Sequence, residues 1–122
     1  MKGVNAASKV KELEELAEIL AEFRRQGKTI VQCHGVFDLL HPGHIRHFEA
    51  AKKEGDTLIV TLTRDEHVNK GPGRPVFNQR LRAESVAALH AVDFVAINRW
   101  PSAVEAIALL KPNVYVKGDE YA

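Results

Sequence analysis

The chain has 122 residues, 45% of them apolar and 27% charged, with a formal net charge of +1. That is enough for one globular domain around one core, and it argues against a nucleic-acid binder that works through a strong basic field. A single cysteine, Cys33, fits a reducing cytoplasm, and no run is apolar enough to span a membrane or to read as a signal peptide.

Residues 9–26 place Val10, Leu13, Leu16, Ala17, Leu20 and Phe23 at spacings of three and four. This is one apolar stripe on a helix, with Ser8 as expected cap and Gly27 as expected stop. Residues 28–33 (KTIVQC) read as a short β-branched strand. A helix is expected over 42–54, with Pro42 in its first turn, where its missing N–H costs nothing. Residues 57–63 (TLIVTLT) form a nearly unbroken apolar and β-branched run, expected as a buried strand. Two glycines and two prolines in 64–77 predict a loop after one helical turn at most. Residues 78–90 are expected as a helix with Leu81, Ser85, Val86 and Leu89 on one side. A strand over 93–98, a helix over 101–110 stopped by Pro112, and a strand over 113–117 complete the series. No internal repeat and no low-complexity segment is present.

Strands alternating with helices predict an α/β fold: a Rossmann-like parallel sheet with helices on both faces, preceded by one extra N-terminal helix. The expected division is a helical extension over 1–27 and a domain over 28–122. The extra helix is expected to pack on the sheet rather than to dock a partner. Ligands of such sheets sit beyond the carboxyl ends of the strands, at the switch point of the strand order. HGVFDLLHPGHIRH, residues 34–47, lies there and holds four of the six histidines.

If a helix opens at Pro42, its unpaired N–H groups and dipole offer an anion site. Gly43 lets a phosphate approach the backbone. His41 and His44, three apart, can face one side of that entrance and donate to phosphate oxygens. The competing readings are a plain cap or surface histidine, and a zinc pair. Zinc would need a third ligand at a recognisable spacing, and neither HExxH nor CxxC occurs. His34 and His47 are read as packing or solvated residues. The GxxxxGK[ST] and GxGxxG phosphate loops are absent.

GVFD at 35–38 followed by HPGH at 41–44 resembles the signature of the HxGH nucleotidyltransferase superfamily. The resemblance continues through EAAKKEGDTLIV, the R-P-V-x-x-x-R stretch from Arg74 to Arg80 (the R of NQR), AVDFV and VYVKGDEY, and covers roughly residues 28–121. It implies transfer of a nucleoside monophosphate from a nucleoside triphosphate to a phosphorylated sugar or polyol, with release of pyrophosphate. Positioning and charge stabilisation suffice for this, without a protein nucleophile. His41 and His44 match the motif histidines and are expected on the triphosphate. Gly35, Val36 and Phe37 are expected to shape the loop under the nucleotide. Asp38 either orients that loop or a motif histidine, or plays a structural part.

Lys70 and Arg80 match cations that meet phosphate in relatives. The alternative for Lys70 is an ordinary solvated lysine. Arg74 is a weaker candidate, and Arg82 is the next suspect, with a surface ion pair as its alternative role. Lys117, Gly118 and Asp119 match a segment beside the nucleotide. Mg²⁺ is expected with the triphosphate, and no metal site is expected on the protein. The stretches RPVFNQRLRAESVAAL and VYVKGDEY look closer to the heptose 1-phosphate adenylyltransferase type than to the glycerol-3-phosphate cytidylyltransferase type, which favours ATP over CTP. By analogy a homodimer and an associated sugar kinase are expected partners. The family's Ser/Thr-rich third phosphate motif does not occur in residues 1–122, so a truncated chain is expected. A non-catalytic nucleotide- or phosphate-binding module remains the alternative.

Overall fold

The computed structural model describes residues 6–117. Its elements are α1 (Leu13–Arg25), β1 (Ile30–Gly35), α2 (Pro42–Lys52), β2 (Thr57–Leu62), α3 (Gln79–Ala87), β3 (Phe94–Ile97), α4 (Val104–Leu110) and β4 (Val114–Lys117). Short 3-10 turns lie at Ala6–Lys9 and Asp65–His67. The four strands are parallel in the order β3-β2-β1-β4. Chain direction across the sheet therefore reverses at β1, and the switch-point crevice lies beyond the ends of β1 and β4.

Side chains alternate across each strand. Val31, Cys33, Leu58, Val60, Leu62 and Val95 face one layer, where Phe48 and Ala51 of α2 and Ala83, Val86 and Ala87 of α3 cover them. Ile30, Ile59 and Ala96 face the other, under Leu13, Leu16 and Leu20 of α1 and Leu110 of α4. All four strands and both layers thus arise as the sequence pattern predicts. Because α1 contributes three fully packed leucines to the second layer, it is part of the core rather than an appendage. Among the described residues, no helix is long and apolar enough to cross a membrane.

Several boundaries differ from the periodicity. The first helix begins at Leu13, not at residue 9. Val10 instead forms a parallel bridge with Val95, and the Lys11 N–H donates to the Val95 carbonyl at 2.9 Å. The edge of β3 takes these residues because its unpaired backbone groups outweigh one more helical turn. Ser8 consequently sits in the preceding 3-10 turn and caps nothing in α1. Gly27 does end the helix, at φ +80°. In α3 the buried face is Arg82, Ala83, Val86 and Ala87, whereas Leu81 and Ser85 point outward. Val86 stays buried and Leu89 packs against the core as predicted, while the charged Arg82 takes an inner position in place of Leu81 and Ser85. The fourth helix starts at Val104, because Pro101–Ala103 form a bend tied to Asn98, whose side chain donates to the Trp100 and Ser102 carbonyls.

Candidate active site

The segment after β1 turns sharply. Phe37 adopts φ +52°, a left-handed conformation that a bulky residue rarely takes. Its ring is held edge-on against Phe48 at 4.9 Å and His44 at 5.7 Å. The chain then enters α2 with His41 as N-cap and Pro42 at the first helical position.

The two motif histidines form this cap themselves. The Gly43 N–H donates to His41 Nδ1 at 3.0 Å, and the His41 N–H donates to His44 Nδ1 at 3.3 Å. This is the reciprocal arrangement of a capping box, with imidazoles in place of the usual hydroxyl and carboxamide. Since each Nδ1 accepts, each neutral ring carries its proton on Nε2. The rings lie 4.0 Å apart, giving two Nε2–H donors at one helix N-terminus. The bare Cα of Gly43 makes room for this pair. A Cβ there would lie 2.7 Å from His41 Cε1, because the His41 ring packs over this position.

His41 is exposed and His44 buried. Burial holds His44 below its ordinary pKa, aided by the neighbouring His41, His47 and Lys70. The neutral form is therefore favoured in the folded chain. As pH falls through the ordinary histidine value of about 6.5, the unfolded chain takes up a proton that native His44 resists. Stability contributed by this site is then complete above that value and is lost as pH falls toward the depressed one. Unfolding free energies of wild type and His44→Gln, measured between about pH 7.5 and about pH 5.5, check this. The wild type should lose stability more steeply; equal slopes would refute the assignment.

Asp38 is held by the segment before α3. Its carboxylate accepts from Val76 N–H at 2.7 Å, Phe77 N–H at 2.9 Å and Arg74 Nε at 2.8 Å. It orients a loop, but the partner is the segment before α3, not a motif histidine. Arg82 is no surface ion pair: its side chain is fully buried among carbonyls and Asp65. Arg80, by contrast, is 65% exposed, lies 3.6 Å from Glu84 and is not among the residues that line the crevice.

The crevice itself is a cleft of about 420 Å³ lined by His34, Val36, Thr63, His67, Lys70 and Lys117, with Asn69, Tyr115 and the Pro101–Ala103 bend completing its wall. Of the sequence-predicted site residues it gathers Val36, Lys70 and Lys117. His41 and His44 open α2 and are not among the residues that line it, but Lys70 of the cleft wall is close enough to depress the His44 pKa. Gly35 is buried at the end of β1, and its carbonyl accepts from Thr63 N–H. Gly118 and Asp119 lie outside the described residues. Sequence reasoning missed His34 and His67 as cleft residues. His34 Nδ1 lies 2.8 Å from Thr61 Oγ1, and His34 is in register with Lys117 on β4. Its strand-end position on the α4 side was the available signal.

Cys33 is fully buried, and that burial pushes its thiol up to about 12, which disfavours the thiolate at neutral pH. Among the described residues no group of three or more His, Cys, Asp or Glu is placed to hold a metal ion.

Comparison with known proteins agrees with this architecture. The bifunctional protein HldE of Desulfatibacillum aliphaticivorans is 42% identical over 116 residues, covering 93% of this chain and 24% of that protein. Its namesake in Rhodopseudomonas palustris strain HaA2 is 47% identical over 109 residues, covering 88% and 22%. The chain thus spans about a quarter of the length of these curated relatives. The crystal structure of a lipopolysaccharide core biosynthesis protein from Thermoplasma volcanium GSS1 matches with TM-score 0.68 and 30% identity over 73% of both chains. The cytidylyltransferase-like family model matches residues 32–122, a span that begins in β1, takes in the histidine cap and the cleft, and places the chain in that nucleotidyltransferase family.

Proposed function

We propose that the chain transfers a nucleoside monophosphate, AMP in preference to CMP, from a nucleoside triphosphate to a phosphorylated sugar or polyol. The observation that carries this reading is the reciprocal histidine cap, which presents two Nε2–H donors at the N-terminus of α2. In the proposed step an oxygen of the acceptor phosphate attacks the α-phosphorus. The bond from that phosphorus to the bridging oxygen breaks, and pyrophosphate leaves with the electron pair. His41 and His44 donate to phosphate oxygens as charge reorganises on them, in a site already oriented before reaction. Lys70 and Lys117 add positive charge along the cleft, where the acceptor phosphate would lie.

Mg²⁺ enters as part of the Mg–nucleotide substrate. The donor set suits that role: Asp38 already accepts from two backbone N–H groups and Arg74, and the described residues form no carboxylate cage. A sugar phosphate acceptor is supported by the resemblance to the heptose 1-phosphate type, and by the likeness to a lipopolysaccharide core biosynthesis protein. A sugar kinase, fused or separate, suits a chain that matches one quarter of proteins named bifunctional. A homodimer in the cytoplasm completes the proposal.

Pyrophosphate release tests it. The protein is supplied with Mg²⁺, ATP or CTP in turn, and a panel of sugar and polyol phosphates. Release that requires ATP and one acceptor is expected. Nucleotide binding without release from any pair would favour a non-catalytic binding module.

A further inference from the structure

Arg82 is the largest fully buried side chain among the described residues. Four hydrogen bonds occupy its guanidinium. Nη1 donates to the Val36 carbonyl at 3.0 Å and the Thr63 carbonyl at 2.7 Å, Nε to the Phe77 carbonyl at 3.0 Å, and Nη2 to Asp65 Oδ1 at 2.7 Å. Val36 and Thr63 directly follow β1 and β2, so one side chain ties the carboxyl ends of both central strands to the start of α3. A buried ion pair is weak evidence of a purely stabilising role, because an apolar side chain of similar volume often serves the fold as well. The placement of these four acceptors points to something more specific.

We propose that Arg82 is a positioning residue of the transfer site, acting on His44 through the Val36–Phe37 turn and on Lys70 through Thr63 and Asp65. This rests on the reading of the site given above. The Val36 carbonyl belongs to the peptide that leads into Phe37, whose left-handed φ of +52° must be held by its surroundings. The Phe37 ring in turn meets the His44 ring edge-on. On the other side, Asp65 opens the 3-10 turn that leads toward Lys70, and Val36, Thr63, His67 and Lys70 all line the cleft. The planar fork of an arginine reaches four separate acceptors at once. A lysine ammonium has three donors and no fixed geometry.

The test compares wild type, Arg82→Lys and Arg82→Met as full chains. Thermal unfolding, NMR signals of the His44 ring, and kcat and KM for pyrophosphate release are measured. Arg82→Lys should unfold cooperatively and show displaced His44 signals. Its kcat should fall about 100-fold with KM for the nucleotide changed less than about threefold, as expected for misplaced groups rather than lost substrate binding. A folded Arg82→Lys with wild-type kcat and unmoved His44 signals overturns the proposal. If neither Arg82 variant folds, Asp65→Asn decides, because Asp65 is 40% exposed and its loss leaves the three carbonyl bonds intact. It should lower kcat about tenfold and displace the His44 signals in part; unchanged values overturn the link. If wild type releases no pyrophosphate with any substrate pair, the transfer reading fails by itself, and the His44 signals still decide the Arg82 link.

Discussion

Replacing His44 by alanine slows nucleotidyl transfer by about 10²–10³-fold, or roughly 2.7–4 kcal/mol of activation free energy, the magnitude for losing one preorganised donor to developing charge. His41→Ala falls in the same range. Both substitutions also remove an acceptor from the helix cap, worth about 1 kcal/mol of stability, so a control must separate folding from chemistry. His41→Ser provides it. A serine oxygen caps a helix as well as any residue, but it is too short to reach where the imidazole Nε2 stands. His41→Ser should therefore unfold near the wild-type temperature and still lose about 10²-fold in kcat. Turnover is followed by pyrophosphate release at saturating nucleotide and acceptor. Wild-type kcat in both alanine variants would remove the histidines from the reaction.

The strand–turn–helix setting of the histidine pair was legible in the sequence. β-branched runs, Pro42 at a helix start and spacing by three are local signals, and local backbone preference decided them. The fold was readable for the same reason, since each strand's alternation names its two faces. What escaped was set by partners distant in the chain. Val10 looks helical by period, but the open edge of β3 claims it. Arg82 looks like a surface charge, because no periodicity rule anticipates three backbone carbonyls converging on one buried position. That the His41 ring packs over Gly43 is likewise not visible in the spacing. Arg80 and Arg82 differ by two positions, hence by about 200° around the helix. Only the side α3 turns to the sheet separates the buried arginine from the exposed one.

The same dependence on distant partners gives Asp38 its weight in the fold. Asp38→Ala should lower unfolding free energy by about 3 kcal/mol, because it strands the Val76 and Phe77 N–H groups and the Arg74 guanidinium at a site only 2% exposed on the aspartate side. The loss stays below that of a fully buried pair because Arg74 is itself 32% exposed. The pH dependence has a definite sign. Burial raises the Asp38 pKa, but the Phe77 and Val76 N–H donors and Arg74 outweigh it and hold the carboxyl below its ordinary value. Its stabilisation is thus complete above about pH 3.9 and disappears as pH falls through the lowered folded value.

Denaturant unfolding of wild type, Asp38→Ala and Asp38→Asn across that range should show an acid-side loss in the wild type that both variants lack. Asparagine does not repair the site: it offers one carbonyl oxygen, and its amide hydrogens would face donors. Because the same carboxylate anchors residues 74–77, the segment between Asp65 and that anchor, which carries Lys70, becomes a longer free loop in either variant. Transfer should then weaken through Lys70 even at temperatures where the variants stay folded. An Asp38→Asn protein with wild-type stability and wild-type kcat would mean that neither the loop nor its lysine depends on this anchor.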